Sequence, residues 1–263
     1  MAVCRTDRWL EKDGDQPIRL CQRLTRYFPD ASAQDIYHYL LPYGMYRPAK
    51  TIKEIVEQMK QKDMWKRVEA VYEKRKKDWN GPDVPIFLFP ADSYNRKLVR
   101  EFNGKGGVAF HDKLFLFLLP HHTNKEIEAL VTHEYNHVCR LNKQKKKYEK
   151  MTLLDAVILE GLAESAVERY VGKDHRASWT SYYSDELLHH FWQRYVAPHR
   201  SISAQHPLCS RILYGLGFYP DMVGYAVGYA IVCRCLERGK ELAELMDMDS
   251  EQMLQIAAFE GGE

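Results

Sequence analysis

The sequence predicts an α+β fold, mainly helical, in which a small sheet precedes the principal helices. Three observations predict it. Residues 1–80 have a helical texture, three short apolar runs bounded by proline or glycine lie between residues 84 and 120, and helical periodicity returns from residue 121 onward. Strands segregated from helices along the chain are the mark of that class.

The elements follow in order. Thr51-x-x-Glu54 forms a capping box for a long helix through Trp79, with Ile55, Met59 and Val68 as its apolar marks. The run K-R-K-K at 74–77 reads as a solvated helix end, where cations suit the dipole. Asn80-Gly81-Pro82 then stops the helix. V-P-I-F-L-F-P (84–90) is a strand, and G-G-V-A-F (106–110) with L-F-L-F-L-L-P (114–120) makes a hairpin through H-D-K. Helices occupy the remainder, broken near Gly172, at Pro198 and from Gly215 to Pro220. The expected organisation is a helical N-terminal region, 1–80, and a core over 81–263, or one continuous domain.

Composition narrows the classes. The 263 residues are 45% hydrophobic, enough to bury a sizeable core. A net charge of +2 gives no global electrostatic reason to bind nucleic acid or a membrane surface. No apolar run approaches the roughly 18 residues of a membrane span. The start M-A-V-C-R-T-D-R carries no apolar signal-peptide core, so a cytoplasmic location is expected. Six scattered cysteines without C-x-x-C read as reduced, mostly buried thiols; for Cys233-x-Cys235 a metal clip is the alternative.

The chemistry concentrates at T-H-E-Y-N-H-V (132–138). Thr123-x-x-Glu126 caps a helix running to about Leu141, with Ile127, Leu130, Val131, Val138 and Leu141 as its core stripe. At about 100° per residue, Glu134 falls within that stripe and His133 and His137 flank it. A carboxylate among core residues is costly unless something pairs with it. Zinc explains all three positions. Two imidazoles one turn apart can share an ion, and the adjacent glutamate can take a proton from water activated there.

A third ligand is available on the next helix, which Thr152-x-x-Asp155 caps. Twenty-two residues separate His137 from Glu160, room for a helix end, a loop and an antiparallel return. Glu160 and Glu164, again four apart, flank the stripe of Leu154, Val157, Ile158, Gly161 and Ser165. We assign Glu160 as the ligand, with Gly161 allowing the helices to approach. Glu164 then accepts the N–H of a ligating histidine, and the reverse assignment stays open. The intervening K-Q-K-K-K-Y-E-K (143–150) reads as a plain solvated loop.

H-E-Y-N-H followed by L-E-G-L-A-E resembles the glutamate-type zinc peptidases, the thermolysin and aminopeptidase group, with Leu159 where that pattern often has asparagine. Length, the helical first third and the late G-Y-A-V-G-Y are similar to the YjaZ-like family of predicted zinc-dependent proteases. The resemblance implies a zincin-like core, Zn2+ as cofactor and a peptide or protein substrate. It also implies a tyrosine oxyanion donor in a Y-x-x-G-aromatic context, which Tyr225-Ala-Val-Gly-Tyr229 matches; Tyr229, Tyr214 and His206 are fallbacks. Extended substrate would pair along G-G-V-A-F (106–110) or its hairpin partner. The glutamate-bearing motif with which aminopeptidases hold a substrate N-terminus is absent, which favours endopeptidase action or cleavage of short peptides. His121, His122, His189, His190 and His199 have no partner spacing and read as caps or surface residues. The competing readings are a regulatory or chaperone-like binding protein on the same scaffold, and a nucleic-acid-linked peptidase, whose only candidate recognition modules are the lysine-rich runs at 74–77 and 143–147.

Overall fold

Capping and apolar spacing make the N-terminal residues helical, but in pieces. The computed structural model describes residues 2–144 and 148–259. Its first elements are α1 (Thr6–Asp13), α2 (Pro17–Cys21), α3 (Ala33–Leu40), α4 (Ile52–Gln61) and α5 (Met64–Trp79). The helix expected from Thr51 through Trp79 is therefore two. Asp63 breaks it with a left-handed backbone (φ 50°), a conformation no helix interior accommodates. Thr51 makes no side-chain cap bond, so the expected Thr51/Glu54 capping box does not form. Nor is K-R-K-K wholly solvated. Arg75 is only 1% exposed, its guanidinium 3.3 Å from Asp78 and 3.8 Å from Glu128.

The sheet forms where the apolar runs place it. Strands β1 (Ile86–Pro90), β2 (Gly106–Ala109) and β3 (Leu114–Leu118) lie in the order β1-β3-β2. β2 and β3 are the expected antiparallel pair, with Gly107 opposite Leu116, while β1 joins β3 in parallel with Phe87 opposite Phe115. A parallel neighbour requires a crossover, and the short helix α6 (Arg96–Phe102) lies within it. β1 and β3 are buried along their whole length, which is why they read as continuous apolar runs.

Helix α7 (Asn124–Gln144) begins at the expected box: the Glu126 N–H donates to Thr123 Oγ1 (3.3 Å) and the Thr123 N–H to Glu126 Oε2 (2.8 Å). It is not merely amphipathic. Residues 129–140 are buried on every face except at His133, while Leu141 is half-buried. Tyr135 lies edge-on to Tyr72 and stacks on Trp79, and its hydroxyl donates to the Pro82 carbonyl (2.8 Å). The chain divides into two compact units, Met1–Val138 and Cys139–Glu263, so the boundary falls inside this helix.

The second unit contains α8 (Leu153–Tyr170), α9 (Asp185–Phe191), α10 (Pro207–Tyr214), α11 (Val223–Glu237), α12 (Leu242–Asp247) and α13 (Ser250–Ala257). The Thr152/Asp155 capping box opens α8 as expected. Arg140 is anchored in this unit, donating to the carbonyls of Leu245 (2.9 Å) and Met248 (3.2 Å) and to Ser250 Oγ (3.1 Å). Burial pulls its pKa down to about 10. Of K-Q-K-K-K-Y-E-K, residues 145–147 lie outside the described residues. No helix among the described residues is long and apolar enough to cross a membrane.

Gly161, expected to ease approach to the histidine-bearing helix, meets α11 instead. A methyl group on Gly161 would lie 2.3 Å from the Gly228 carbonyl oxygen, and one on Gly228 would lie 1.9 Å from that of Val157. Both obstacles are backbone, so no rotamer change relieves them. Gly228→Ala should therefore destabilise the protein by about 3 kcal/mol, the upper part of the usual overpacking range. Urea unfolding measures this, and an unchanged midpoint would refute the close packing of α8 on α11.

Candidate metal centre

Helix periodicity places the two histidines. His133 and His137 stand one turn apart on α7, their ring centroids 4.7 Å apart and their planes at 84°. The half-buried Glu160 on α8 supplies a carboxylate, and ligand atoms of His133, His137 and Glu160 all lie within 4.8 Å of one another. Among the described residues this is the one group of three or more candidate ligands that could hold a metal ion. Donors about 2.1 Å from a shared zinc stand roughly 3.4 Å apart in a tetrahedron. That differs from the observed span by little more than an ångström, the scale of side-chain torsions. Two imidazoles and one carboxylate are also the donor set of an open zinc site. The residues fit the ion.

Glu134, between the histidines in sequence, is 7% exposed. Its side chain lies against the backbone of β2: a methyl group on Gly107 would fall 2.6 Å from both Cγ and Cδ of Glu134. Glu164 is buried, and its Oε1 accepts the Ala177 N–H (2.5 Å). Sequence reasoning did not find this loop contact, because nothing local in A-S-W-T signals a distant carboxylate.

The tyrosine candidates occupy different surroundings. Tyr225 is 5% exposed on α11, edge-on to Trp179 (5.2 Å) and tilted against Tyr214 (5.4 Å). The Tyr229 hydroxyl is engaged, donating to Glu168 and accepting from Arg176 Nη1 (2.6 Å). Burial, then the bond to Glu168, pushes its pKa well above the ordinary phenol value. His206 caps α10, its Nδ1 accepting the Leu208 N–H (3.1 Å). His122, expected as a cap or surface residue, is instead 2% exposed and takes the Leu119 N–H on Nδ1 (2.9 Å).

Comparison with known proteins gives a family. The family model described as "Predicted Zn-dependent protease (DUF2268)" matches residues 64–255, which include every candidate residue above. The uncharacterized protein YjaZ of Bacillus subtilis (strain 168) is 38% identical over 243 residues, covering 91% of this chain and 93% of the relative. No solved structure matches the chain.

The C-x-C pair of α11 does not join the centre. Cys235 is buried with Sγ 3.2 Å from the Met253 carbonyl, and burial raises both the Cys233 and Cys235 thiols to about 11. At pH 8 only on the order of one molecule in a thousand should carry either thiolate, the form that ligates metal and reacts with electrophiles. Native protein should therefore alkylate slowly at both positions, and Cys233→Ser should keep its full zinc content. Loss of zinc in that variant, by elemental analysis, would restore the metal-clip reading.

Proposed function

This chain belongs to the family of predicted Zn-dependent proteases (DUF2268), and we propose that it is a cytoplasmic zinc metallopeptidase of zincin-like fold that cleaves peptide or protein substrates. The observation that carries the reading is the meeting of His133, His137 and Glu160 donor atoms within 4.8 Å, with the buried Glu134 carboxylate one residue along α7. His133, His137 and Glu160 would hold the ion. The chemistry zinc supplies in a three-ligand site is acidification of water and polarisation of a carbonyl.

The remaining work belongs to the chain. Glu134 accepts the proton of the attacking water on its carboxylate and returns it to the departing amide nitrogen. Tyr225 donates its phenolic hydrogen to the oxygen on which charge develops. Glu164 fixes the orientation of a ligating imidazole. A regulatory or chaperone-like protein on this scaffold would have no use for a carboxylate buried beside its metal ligands, since that burial is costly. Endopeptidase action, or cleavage of short peptides, fits the lack of an aminopeptidase N-terminus motif in the sequence.

Elemental analysis of purified protein should find about one zinc per chain. Glu134→Gln should keep zinc and fold yet lose nearly all hydrolysis of a peptide library. Glu160→Gln should lose the metal, and Glu164→Gln should weaken metal affinity or activity by about 10- to 100-fold. If Glu164→Gln loses zinc while Glu160→Gln retains it, the ligand is one helical turn further along. An active Glu134→Gln would sink the mechanism.

Tyr225→Phe separates the oxyanion assignment from metal binding. Deleting one such donor typically costs about 2.7–4 kcal/mol at the transition state. Turnover should thus fall on the order of 100-fold or more with zinc content unchanged. Near-normal turnover would move the role to Tyr214, Tyr229 or His206.

A further inference from the structure

A glycine inside a strand gives up side-chain packing, and its presence marks the close approach of something else. β2 carries two in succession, Gly106 and Gly107, which face opposite sides of the strand. A methyl group on Gly106 would lie 2.2 Å from the Tyr43 carbonyl oxygen, a contact with backbone. On Gly107 its three nearest atoms would all belong to Glu134: Cγ and Cδ at 2.6 Å and Oε1 at 2.7 Å. Gly107 is not among the positive-φ glycines, and its pairing opposite Leu116 is ordinary antiparallel geometry. No backbone conformation demands glycine there. The Glu134 side chain does.

We propose that Gly107 is a positioning residue for Glu134, its bare Cα forming the seat on which the carboxylate rests. The inference rests on the reading of Glu134 as the proton acceptor. Non-bonded carbons settle about 3.5–4.0 Å apart, so any side chain at residue 107 displaces Cγ and Cδ by about 1 Å. The strand cannot yield cheaply, because β3 holds it in register. The carboxylate, at the far end of a flexible side chain, yields instead. Displacement by 1 Å of a group that must meet a proton in flight is enough to cost on the order of 100-fold in rate. Gly106 and Gly107 therefore have different roles despite identical chemistry: the first admits a neighbouring backbone and the second sets the place of a reacting group.

The test uses full-length protein loaded with zinc and compares Gly107→Ala in two backgrounds. With Glu134 present, kcat on a quenched-fluorescent peptide library should fall about 10- to 100-fold while KM and zinc content stay unchanged. The same variant should also lose thermal stability. In the Glu134→Ala background, which lacks the Cγ, Cδ and Oε1 atoms nearest to that methyl, Gly107→Ala should lower Tm less than it does with Glu134 present. There the alanine also restricts the unfolded chain at a backbone position that tolerates it. Equal Tm changes in the two backgrounds, or unchanged kcat with Glu134 present, would overturn the proposal. If the wild-type protein cleaves no peptide at all, the metallopeptidase reading fails on its own, and the Tm comparison still decides whether residue 107 seats Glu134. Gly106→Ala serves as the contrast. Its clash is with the Tyr43 carbonyl, so it should lower Tm equally in both backgrounds.

Discussion

Burial of α7 is the constraint on which the other features depend. Glu134 and His137 are each 7% exposed, on a helix whose residues 129–140 are enclosed on nearly every face. An ionised carboxylate in such surroundings costs several kcal/mol unless neighbours compensate, so the rotation of the helix about its own axis decides where that cost falls. The rotation is fixed. Within the first unit Tyr135 is held by Tyr72, Trp79 and the Pro82 carbonyl. Within the second, the Arg140 guanidinium is spread over backbone carbonyls and Ser250, which in turn donates to Asp155 at the start of α8. Large, specifically hydrogen-bonded side chains thus set the angle at which His133, Glu134 and His137 are displayed.

The glutamates of α8 illustrate how one helical face is divided. Glu160, Glu164 and Glu168 recur at four-residue spacing, a row of like charges that would repel if left to solvent. Each has a different partner. Glu160 contributes to the donor cluster, Glu164 accepts the Ala177 N–H, and Glu168 takes the Tyr229 hydroxyl and Arg176. The last two fold the segment around Arg176 and Ala177 back along α8. That brings Trp179 edge-on to both Tyr225 and Tyr229. The ring of Tyr225 is therefore held by a loop whose anchors are carboxylates of α8, and its placement is coupled to theirs through ordinary packing.

What the sequence disclosed was what local interactions decide. The Thr123/Glu126 and Thr152/Asp155 boxes form because both partners lie within one turn, and the hairpin forms because its strands adjoin a short turn. The histidine spacing was legible for the same reason: two residues four apart on a helix need no tertiary knowledge to share a face. Failures came where distant groups outvoted local ones. Thr51 had capping chemistry, but its backbone is already helical and its side chain makes no cap. Arg75 sat in a basic run, but its guanidinium lies buried 3.8 Å from Glu128 of α7. The parallel pairing of β1 with β3 could not be read from either strand, because the register of a crossover is set by packing rather than by a turn.

The glycines are the least legible part, and the physical reason is general. A glycine in sequence shows that something is missing without showing what fills the space. Gly161 and Gly228 sacrifice helix propensity, about 1 kcal/mol each relative to alanine, and their places are taken by backbone of the opposing helix. Gly107 sacrifices strand packing, and its place is taken by a carboxylate. The first kind of vacancy is filled by a group that can be no smaller, so it constrains how tightly two helices pack. The second is filled by the end of a flexible side chain, which could move aside at less cost to the fold than backbone could. A residue kept small against a yielding neighbour makes little sense as a packing device. It makes sense where the position of the neighbour matters more than the stability given up to hold it.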